Sequence, residues 1–255
     1  MKYVRIQLND KISYGIVEEE KVIEINGNPI FENCKETGET YNLSEVKILS
    51  PNPSPPKNLC LALNYGSHLL GANAPKKPEP FYKTVTAICG PGDPIKIPKD
   101  AGLVACESEL VVIIGKEAKN VSENSALDYV FGYTCGNDVS AREWQSGNNS
   151  DMQWWRAKSC DTFGPTGPFI VTDIDPQNVS IRGLVNGVEG QKCHSSEMIF
   201  SVAESISFIS KYVTLVPGDM LWTGTSGMTP PINPGDDVTV EIDKVGTLIN
   251  PVEAA

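Results

Sequence analysis

The stretch ACESELVVIIG, residues 105–115, contains two glutamates followed by an unbroken run of apolar residues. Residues 110–114 are leucine, valine and isoleucine, and a glycine ends the run at position 115. A continuous apolar run of this length predicts a strand buried on both faces, because a strand with one wet face alternates apolar and polar residues.

Short β-rich runs recur between turn signals on either side of this strand. KYVRIQLND, ISYGIVEEE and KVIEING alternate as an antiparallel meander does, and PFIVTDI, MLWTGT and DVTVEID are further strand candidates. The tripeptide PGD, which favours a tight turn, occurs at 91–93, 217–219 and 234–236. The proline-rich stretch 50–58 predicts a linker between a small N-terminal antiparallel β domain, residues 1–50, and a larger domain, residues 57–255.

Two segments have the pattern of helices. SVAESISFISKYV, residues 201–213, combines one apolar face with Ser201 and Glu204 at the spacing of a capping box. SENSALDYVFGY, residues 122–133, predicts a second, shorter helix. The fold class is therefore expected to be mainly β with a few helices, α+β.

Composition limits the partners and the compartment. The formal net charge of −11 argues against nucleic-acid and anionic-membrane partners, since both need a basic face. The seven cysteines form no C-x-x-C pair, which predicts small buried thiols in a reducing compartment rather than a zinc cage. The N-terminus alternates, unlike a signal peptide, and no apolar run approaches the roughly 20 residues that span a bilayer. We therefore expect a cytoplasmic protein.

Three carboxylates suggest a metal site. Glu107 and Glu109 are two apart on a strand and so point the same way, which is costly for like charges unless a cation joins them. Asp138, in GYTCGNDVSAREWQ (132–145), is the candidate third ligand. Three carboxylates that offer only oxygen ligands favour Mg²⁺, Mn²⁺ or Ca²⁺ over zinc. Spacing alone also allows a plainer interpretation, in which both glutamates lie on a wet face and Asp138 caps a turn.

Two further segments are ambiguous by themselves. Lys158 follows two tryptophans in QWWRAKSCDTFGPTGP, and its side chain either covers apolar surface or clamps an anion. LWTGTSG, residues 221–227, offers hydroxyl and N–H groups that hold a carboxylate or simply form a turn.

Taken in series, these segments resemble the fumarylacetoacetate hydrolase family. The match runs in the family's order from about residue 57 to the C-terminus, and nine motifs in order are far more specific than any one of them. The motifs are NYGSH (64–68), PFYK (80–83), GPGDPIKIP (90–98), ESELVVIIGK (107–116), GYTCGNDVSAREWQ (132–145), KSCDTFGPTGP (158–168), VNG (185–187), MIFSVAE (198–204) and LVPGDMLWTGTSG (215–227). The resemblance implies a mixed β-sandwich roll, usually a homodimer, with a divalent metal at its mouth.

The resemblance also implies roles for individual residues. Glu107, Glu109 and Asp138 correspond to the metal ligands, His68 to the base, and Lys158 to the lysine that polarises the substrate. Substrate contacts are implied at Tyr65, Lys83, Arg142, Gln145 and Thr225. The substrate that the resemblance implies is a small 2-oxo or β-dicarbonyl carboxylic acid that reacts through an enolate bound to the metal. C–C bond cleavage comes first among the reactions, as acylpyruvate-type hydrolysis or oxaloacetate-type decarboxylation.

One position departs from the family pattern. Hydrolytic members carry a glutamate three residues after the histidine, whereas this chain has Gly71, which cannot accept a proton. Another acid such as Glu79 replaces the glutamate, or His68 acts alone, or the reaction needs no activated water, as in decarboxylation or enol–keto isomerisation. An isomerase, a tautomerase, a dehydratase, a tailoring enzyme with an altered lid at HLLGANAP (68–75), and a non-catalytic metal-binding descendant remain alternatives.

Overall fold

The computed structural model describes residues 1–69 and 71–255, and this part of the chain forms 20 strands and 3 α-helices. The strands are β1 Lys2–Leu8, β2 Lys11–Glu18, β3 Lys21–Ile25, β4 Glu36–Asn42, β5 Lys47–Leu49, β6 Asn58–Ala62, β7 Glu79–Tyr82, β8 Ile88–Cys89, β9 Ile95–Ile97, β10 Val104–Ala105, β11 Ser108–Ile114, β12 Val130–Asn137, β13 Ser140–Ala141, β14 Gly164–Val171, β15 Ser180–Val185, β16 Val188–His194, β17 Met220–Trp222, β18 Pro231–Ile232, β19 Asp237–Ile242 and β20 Gly246–Ala254. The helices are α1 Arg142–Gln145, α2 Trp155–Ser159 and α3 Val202–Tyr212. The expected class, mainly β with a few helices, is confirmed.

The largest sheet has twelve strands and includes the N-terminal meander. Its order is β4-β3-β2-β1-β14-β12-β11-β17-β6-β7, with β5 beside β1 and β8 beside β14. The meander joins the rest of the sheet where β1 pairs antiparallel with β14. The proline-rich stretch 50–58 therefore connects strands of one continuous sheet, and the division into two domains stays a prediction.

Two smaller sheets complete the architecture. A five-stranded sheet has the order β16-β15-β19-β20-β9, and a three-stranded sheet has the order β13-β10-β18. The main core lies between the twelve-stranded and five-stranded sheets, with α3 packed against it. Burying apolar side chains between two sheets is the arrangement expected of a β-sandwich.

The strand expected at 109–115 is β11, and all seven of its residues are buried. Leu110, Val112 and Ile114 face the core shared with the five-stranded sheet. Val111 and Ile113 face the opposite side, in a cluster with Met220 and Trp222. The prediction that both faces of this strand are buried is confirmed.

Helix α3 begins and ends as its sequence predicts. Ser201 Oγ accepts a hydrogen bond from the Glu204 N–H at 3.1 Å, and Glu204 Oε2 accepts one from the Ser201 N–H at 2.7 Å. This reciprocal pair satisfies two amide groups that the first turn of a helix leaves free. Val202, Ile206 and Ile209 are buried on the apolar face.

The second expected helix, residues 122–133, is confirmed only over part of its length. Residues Glu123–Tyr129 form a 3-10 helix, and the chain continues as strand β12 from Val130. Val130, Gly132 and Tyr133 pair with β11, and this long-range pairing outweighs the weak local helical pattern. The short helices α1 and α2 were not anticipated. No helix within residues 1–69 and 71–255 is long and apolar enough to cross a membrane.

Candidate active site

Strand register brings Glu107 and Asp138 together. In the antiparallel pair β11/β12, Ser108 lies opposite Asn137, so the residue before β11 and the residue after β12 share one end. The Asp138 N–H donates to the Glu107 carbonyl oxygen at 2.9 Å. The Glu107 N–H in turn donates to Asn137 Oδ1 at 2.9 Å.

Glu109 completes a cluster of three buried carboxylates. It follows Glu107 by two positions, and the alternation of the strand turns both side chains to the same face. One carboxylate oxygen from each of Glu107, Glu109 and Asp138 lies within 4.8 Å of the others. The three residues are at most 4% exposed, so the alternative that they lie on a wet face is wrong.

Three basic side chains surround this cluster but pair with only two of its members. Lys158 Nζ lies 2.8 Å from Glu107 Oε2 and 2.6 Å from Asp138 Oδ2. Arg142 lies 2.7 Å from Glu107 Oε1, and Lys83 Nζ lies 2.7 Å from Asp138 Oδ1. Glu109 forms no ion pair within the described residues, and its Oε2 accepts a hydrogen bond from the Gly224 N–H at 2.8 Å.

The unequal pairing separates the pKa values of the two glutamates. Burial alone would raise the pKa of Glu107, but the charges of Lys158 and Arg142 lower it to about 2. Burial raises the pKa of Glu109 well above its ordinary value, and the nearby charges of Asp138 and Glu107 raise it further. Glu109 is therefore the carboxylate that most needs a cation.

The residues fit a hard divalent cation. The donor set consists of carboxylate oxygens, which magnesium, manganese and calcium prefer. Glu109 is the member of this set that has no ion-pair partner among the described residues, whereas Asp138 Oδ1 lies 2.7 Å from Lys83 Nζ. A buried carboxylate without a counter-charge is costly, and a bound cation would relieve this cost.

Lys158 remains an ammonium in this setting. Its side chain is 2% exposed, and burial alone would lower its pKa. The charges of Asp138 and Glu107 outweigh burial and hold the pKa of Lys158 above its ordinary value. Lys158 therefore supplies positive charge rather than acting as a base.

A cavity of about 40 Å³ lies beside the carboxylates. Its wall brings together the predicted site residues His68, Gln145, Lys158 and Thr225 with Glu107 and Asp138, and the remaining lining residues are Leu61, Ala62, Leu63, Phe81 and Trp154. A volume of this size holds a few water molecules.

His68 ends a 3-10 turn, Gly66–His68, and its Nδ1 lies 2.7 Å from the carbonyl oxygen of Gly227. Within residues 1–69 and 71–255, no carboxylate forms an ion pair or a hydrogen bond with its ring. Glu79, a candidate partner, is half exposed and lies 3.7 Å from Lys77. The expected lid at 68–75 includes Leu70, which lies outside the described residues, and Gly71 is exposed.

Arg142, Gln145 and Thr225 are placed around the same cluster. Arg142 donates to Gln145 Oε1 at 2.6 Å and also to Thr229 Oγ1. The hydroxyl of Thr225 donates to the Ser108 carbonyl oxygen at 3.2 Å and accepts from Gln191 Nε2 at 2.8 Å. Their contact with a substrate stays a prediction.

Two expected substrate contacts lie elsewhere. Tyr65 is fully buried in the main core and does not line the cavity. Lys83 is also buried, and its ammonium is directed at Asp138 and at the carbonyl oxygens of Lys158 and Phe163. Because these three groups already occupy the Lys83 ammonium, Lys83 positions Asp138 and α2 rather than contacting a substrate.

Sequence reasoning missed several groups that shape the site. The Ser140 hydroxyl donates to Glu107 Oε1 at 3.0 Å. Gln191 lies in the middle of β16. Its Nε2 donates a hydrogen bond to Thr225 Oγ1, and its Oε1 accepts one from the Ser108 N–H at 3.0 Å. Ser140 lies two residues after Asp138 in the motif 132–145, so its position in the sequence could have indicated a role at the site. The sequence around Gln191 contains no comparable signal.

Comparison with known proteins identifies the regions of similarity. The family model for the fumarylacetoacetate (FAA) hydrolase C-terminal domain matches residues 57–253. A second model, described as Rv2993c-like, N-terminal, matches residues 1–51. The oxaloacetate tautomerase fahd2, mitochondrial, of Xenopus laevis is 43% identical, over 82% of this chain and 69% of that protein.

Two solved structures are similar over the full length of both chains. A structure titled 5-carboxymethyl-2-hydroxymuconate delta-isomerase from Mycobacterium smegmatis has a TM-score of 0.92 and 39% identity, with 100% of each chain covered. The maleylpyruvate hydrolase of Sphingobium sp. SYK-6, solved with manganese(II) and pyruvate, has a TM-score of 0.83 and 27% identity, again with 100% of each chain covered. Isomerases and a hydrolase thus share this architecture.

Proposed function

Because this chain belongs to the fumarylacetoacetate hydrolase family, we propose that it is a divalent-metal-dependent enzyme that interconverts the enol and keto forms of a small 2-oxo carboxylic acid such as oxaloacetate. The observation that carries this proposal is the composition of the cavity wall. A single imidazole, His68, faces the same small space as Lys158, Glu107 and Asp138, and no carboxylate within the described residues partners that imidazole.

Interconversion of an enol and a keto form needs one proton to move between a carbon and an oxygen of the same molecule. His68 would take the proton from one atom and return it to the other, so no water is consumed. The Lys158 ammonium would stabilise the negative charge that develops on the substrate oxygen during this transfer. This division of tasks suits a site with one base and one permanent cation.

The predicted metal ligands are Glu107, Glu109 and Asp138. A bound divalent cation supplies Lewis-acid polarisation of a substrate oxygen. Thr225 and Gln145, which also line the cavity, would orient the carboxylate of the substrate.

C–C bond cleavage is the second candidate, although the sequence placed it first. The structural similarity to a maleylpyruvate hydrolase supports it. Hydrolysis additionally needs a base that activates water, and Gly71 stands at the position where hydrolytic members carry the supporting glutamate. We therefore place tautomerisation ahead of hydrolysis and of decarboxylation.

The test is an assay of the purified full chain with magnesium or manganese. We expect the enol of oxaloacetate to disappear faster than in metal-matched buffer, without release of pyruvate. His68→Ala should lower kcat by about 10²- to 10⁴-fold, the usual contribution of a positioned base. His194→Ala is the matched control, because His194 does not line the cavity and is hydrogen-bonded to Ser196.

The outcomes separate the candidates. Release of pyruvate from an acylpyruvate or from oxaloacetate, without enol–keto interconversion, would favour C–C cleavage and reject the tautomerase. Metal binding without turnover of any of these acids would favour a binding protein. Equal activity of His68→Ala and His194→Ala would remove His68 from the mechanism.

A further inference from the structure

The partner of His68 is a backbone carbonyl group. His68 Nδ1 lies 2.7 Å from the carbonyl oxygen of Gly227. A carbonyl oxygen only accepts hydrogen bonds, so a hydrogen bond at this distance requires the proton to be on Nδ1. The hydrogen bond made by one ring nitrogen fixes the protonation of the other, and Nε2 then carries the lone pair.

Gly227 is itself held by the residue that precedes His68. Its N–H donates to Ser67 Oγ at 3.0 Å, so two consecutive residues of one turn bind the two sides of the same glycine. The φ angle of Gly227 is 59°, in the left-handed region, and a Cβ added there would meet no atom within 4 Å. Backbone conformation rather than space thus favours glycine here.

We propose that the Gly227 carbonyl group replaces a carboxylate as the group that orients His68, and that it selects the tautomer with the proton on Nδ1. Ser67 is the positioning residue that fixes the direction of this carbonyl group. Nε2 makes no hydrogen bond within residues 1–69 and 71–255, and His68 lines the cavity. Nε2 is therefore the nitrogen available for proton transfer.

The chemical consequence rests on the proposed function. In the forward direction Nε2 takes the enol O–H proton, and the O–H electrons form the C=O bond. The C=C electrons then form a C–H bond with the proton that Nε2 returns to the carbon. His68 ends as it began, and no co-reactant is used. A neutral carbonyl group can orient the ring for this cycle, but it offers the imidazolium less stabilisation than a carboxylate would.

Nitrogen-15 NMR of the full chain with magnesium tests the tautomer directly. The chain has two histidines, so His194→Gln leaves His68 as the only imidazole in the spectrum. The spectra are recorded at about pH 8, above the pKa of about 6.5 of histidine in model peptides. We expect a proton-bearing nitrogen signal for Nδ1 and an unprotonated one for Nε2. A proton on Nε2 instead would overturn the inference.

A second measurement tests Ser67, which is exposed, so its substitution should be tolerated. Ser67→Ala removes the acceptor of the Gly227 N–H, and we expect a mixture of tautomers and a kcat lower by about 10-fold at unchanged KM, part of the general-base contribution. Ser67→Thr, which keeps a hydroxyl group, should restore both, and Ser54→Ala at an exposed turn is the control.

The two proposals fail separately. A pure Nδ1-protonated His68 in Ser67→Ala, with unchanged kcat, would reject Ser67 as the positioning residue. A protein with the expected tautomer that does not interconvert oxaloacetate would reject the proposed function and leave the orientation of His68 standing. If Ser67→Ala does not fold, the spectrum of His194→Gln alone still decides the tautomer.

Discussion

At the scale of single residues, burial alone does not define the role of a charged group in this protein. Glu107 and Glu109 are both buried, yet ion pairs lower the pKa of Glu107, whereas burial and the charges of Asp138 and Glu107 raise the pKa of Glu109. Glu24 on β3 is a third buried glutamate, outside the carboxylate cluster. Its partners are Lys11 Nζ at 2.6 Å and Thr37 Oγ1 at 3.2 Å.

The charge of Glu24 should stabilise the fold above pH 4.5. Burial raises its pKa, but the hydrogen bonds from Lys11, Ser13 and Thr37 together bring it below the ordinary value of 4.5. A lowered pKa in the folded state contributes stability above the unfolded-state pKa, and this contribution is lost as the pH falls through the folded-state pKa. Glu24→Gln should therefore lower the free energy of unfolding at pH 7, and by less as the pH falls below 4.5.

Urea unfolding of both proteins between pH 7 and pH 3 measures this difference. Glu18→Gln on the neighbouring strand β2 is the control, because Glu18 is exposed. A difference that stays constant or grows on acidification would contradict the assignment of a lowered pKa to Glu24.

At the scale of secondary-structure elements, local signals decided where α3 begins but not where β12 begins. Ser201 and Glu204 bond the free backbone N–H groups at the N-terminus of α3, and they lie within four residues of each other. β12 depends on the register with β11, which joins residues 16 to 29 positions apart in sequence. Sequence patterns therefore predicted α3 correctly and gave a helix in place of the start of β12.

Ser201→Ala should destabilise the protein by about 1 kcal/mol, the usual cost of losing an N-cap side chain. Chemical denaturation measures the change, with Ser54→Ala as a control at an exposed position. Because α3 packs on the core away from the carboxylates, manganese affinity should stay unchanged. A loss of metal binding in Ser201→Ala would contradict the separation of this helix from the site.

At the scale of the whole molecule, the metal ligands meet only in the folded chain. Glu107 directly precedes β11, Glu109 is the second residue of β11, and Asp138 directly follows β12. The cluster therefore depends on the pairing of these two strands. The homodimer and the cytoplasmic location stay predictions.

Manganese should therefore stabilise the folded state by mass action. At a free concentration of 100 times Kd we expect a gain of about 2.7 kcal/mol in the free energy of unfolding, reversed by EDTA. Glu109→Gln should lose most of this gain, without loss of stability in the metal-free protein, because it removes a buried charge that has no basic partner. Glu253→Gln, at an exposed position, should behave as the wild type. An equal gain in Glu109→Gln would contradict the metal site.

The sequence by itself determined the mainly β class, the doubly buried strand β11, the capped helix α3, and the carboxylates suited to a hard cation. These features follow from local periodicity, capping chemistry and a motif order that are readable along the chain. Only the tertiary structure decided that Lys83 is directed at Asp138, that Tyr65 lies in the core, and that Gly227 faces His68. Such contacts join distant segments through strand register and backbone carbonyl groups, and a backbone carbonyl group is the same in every residue, so the sequence carries no signal for it.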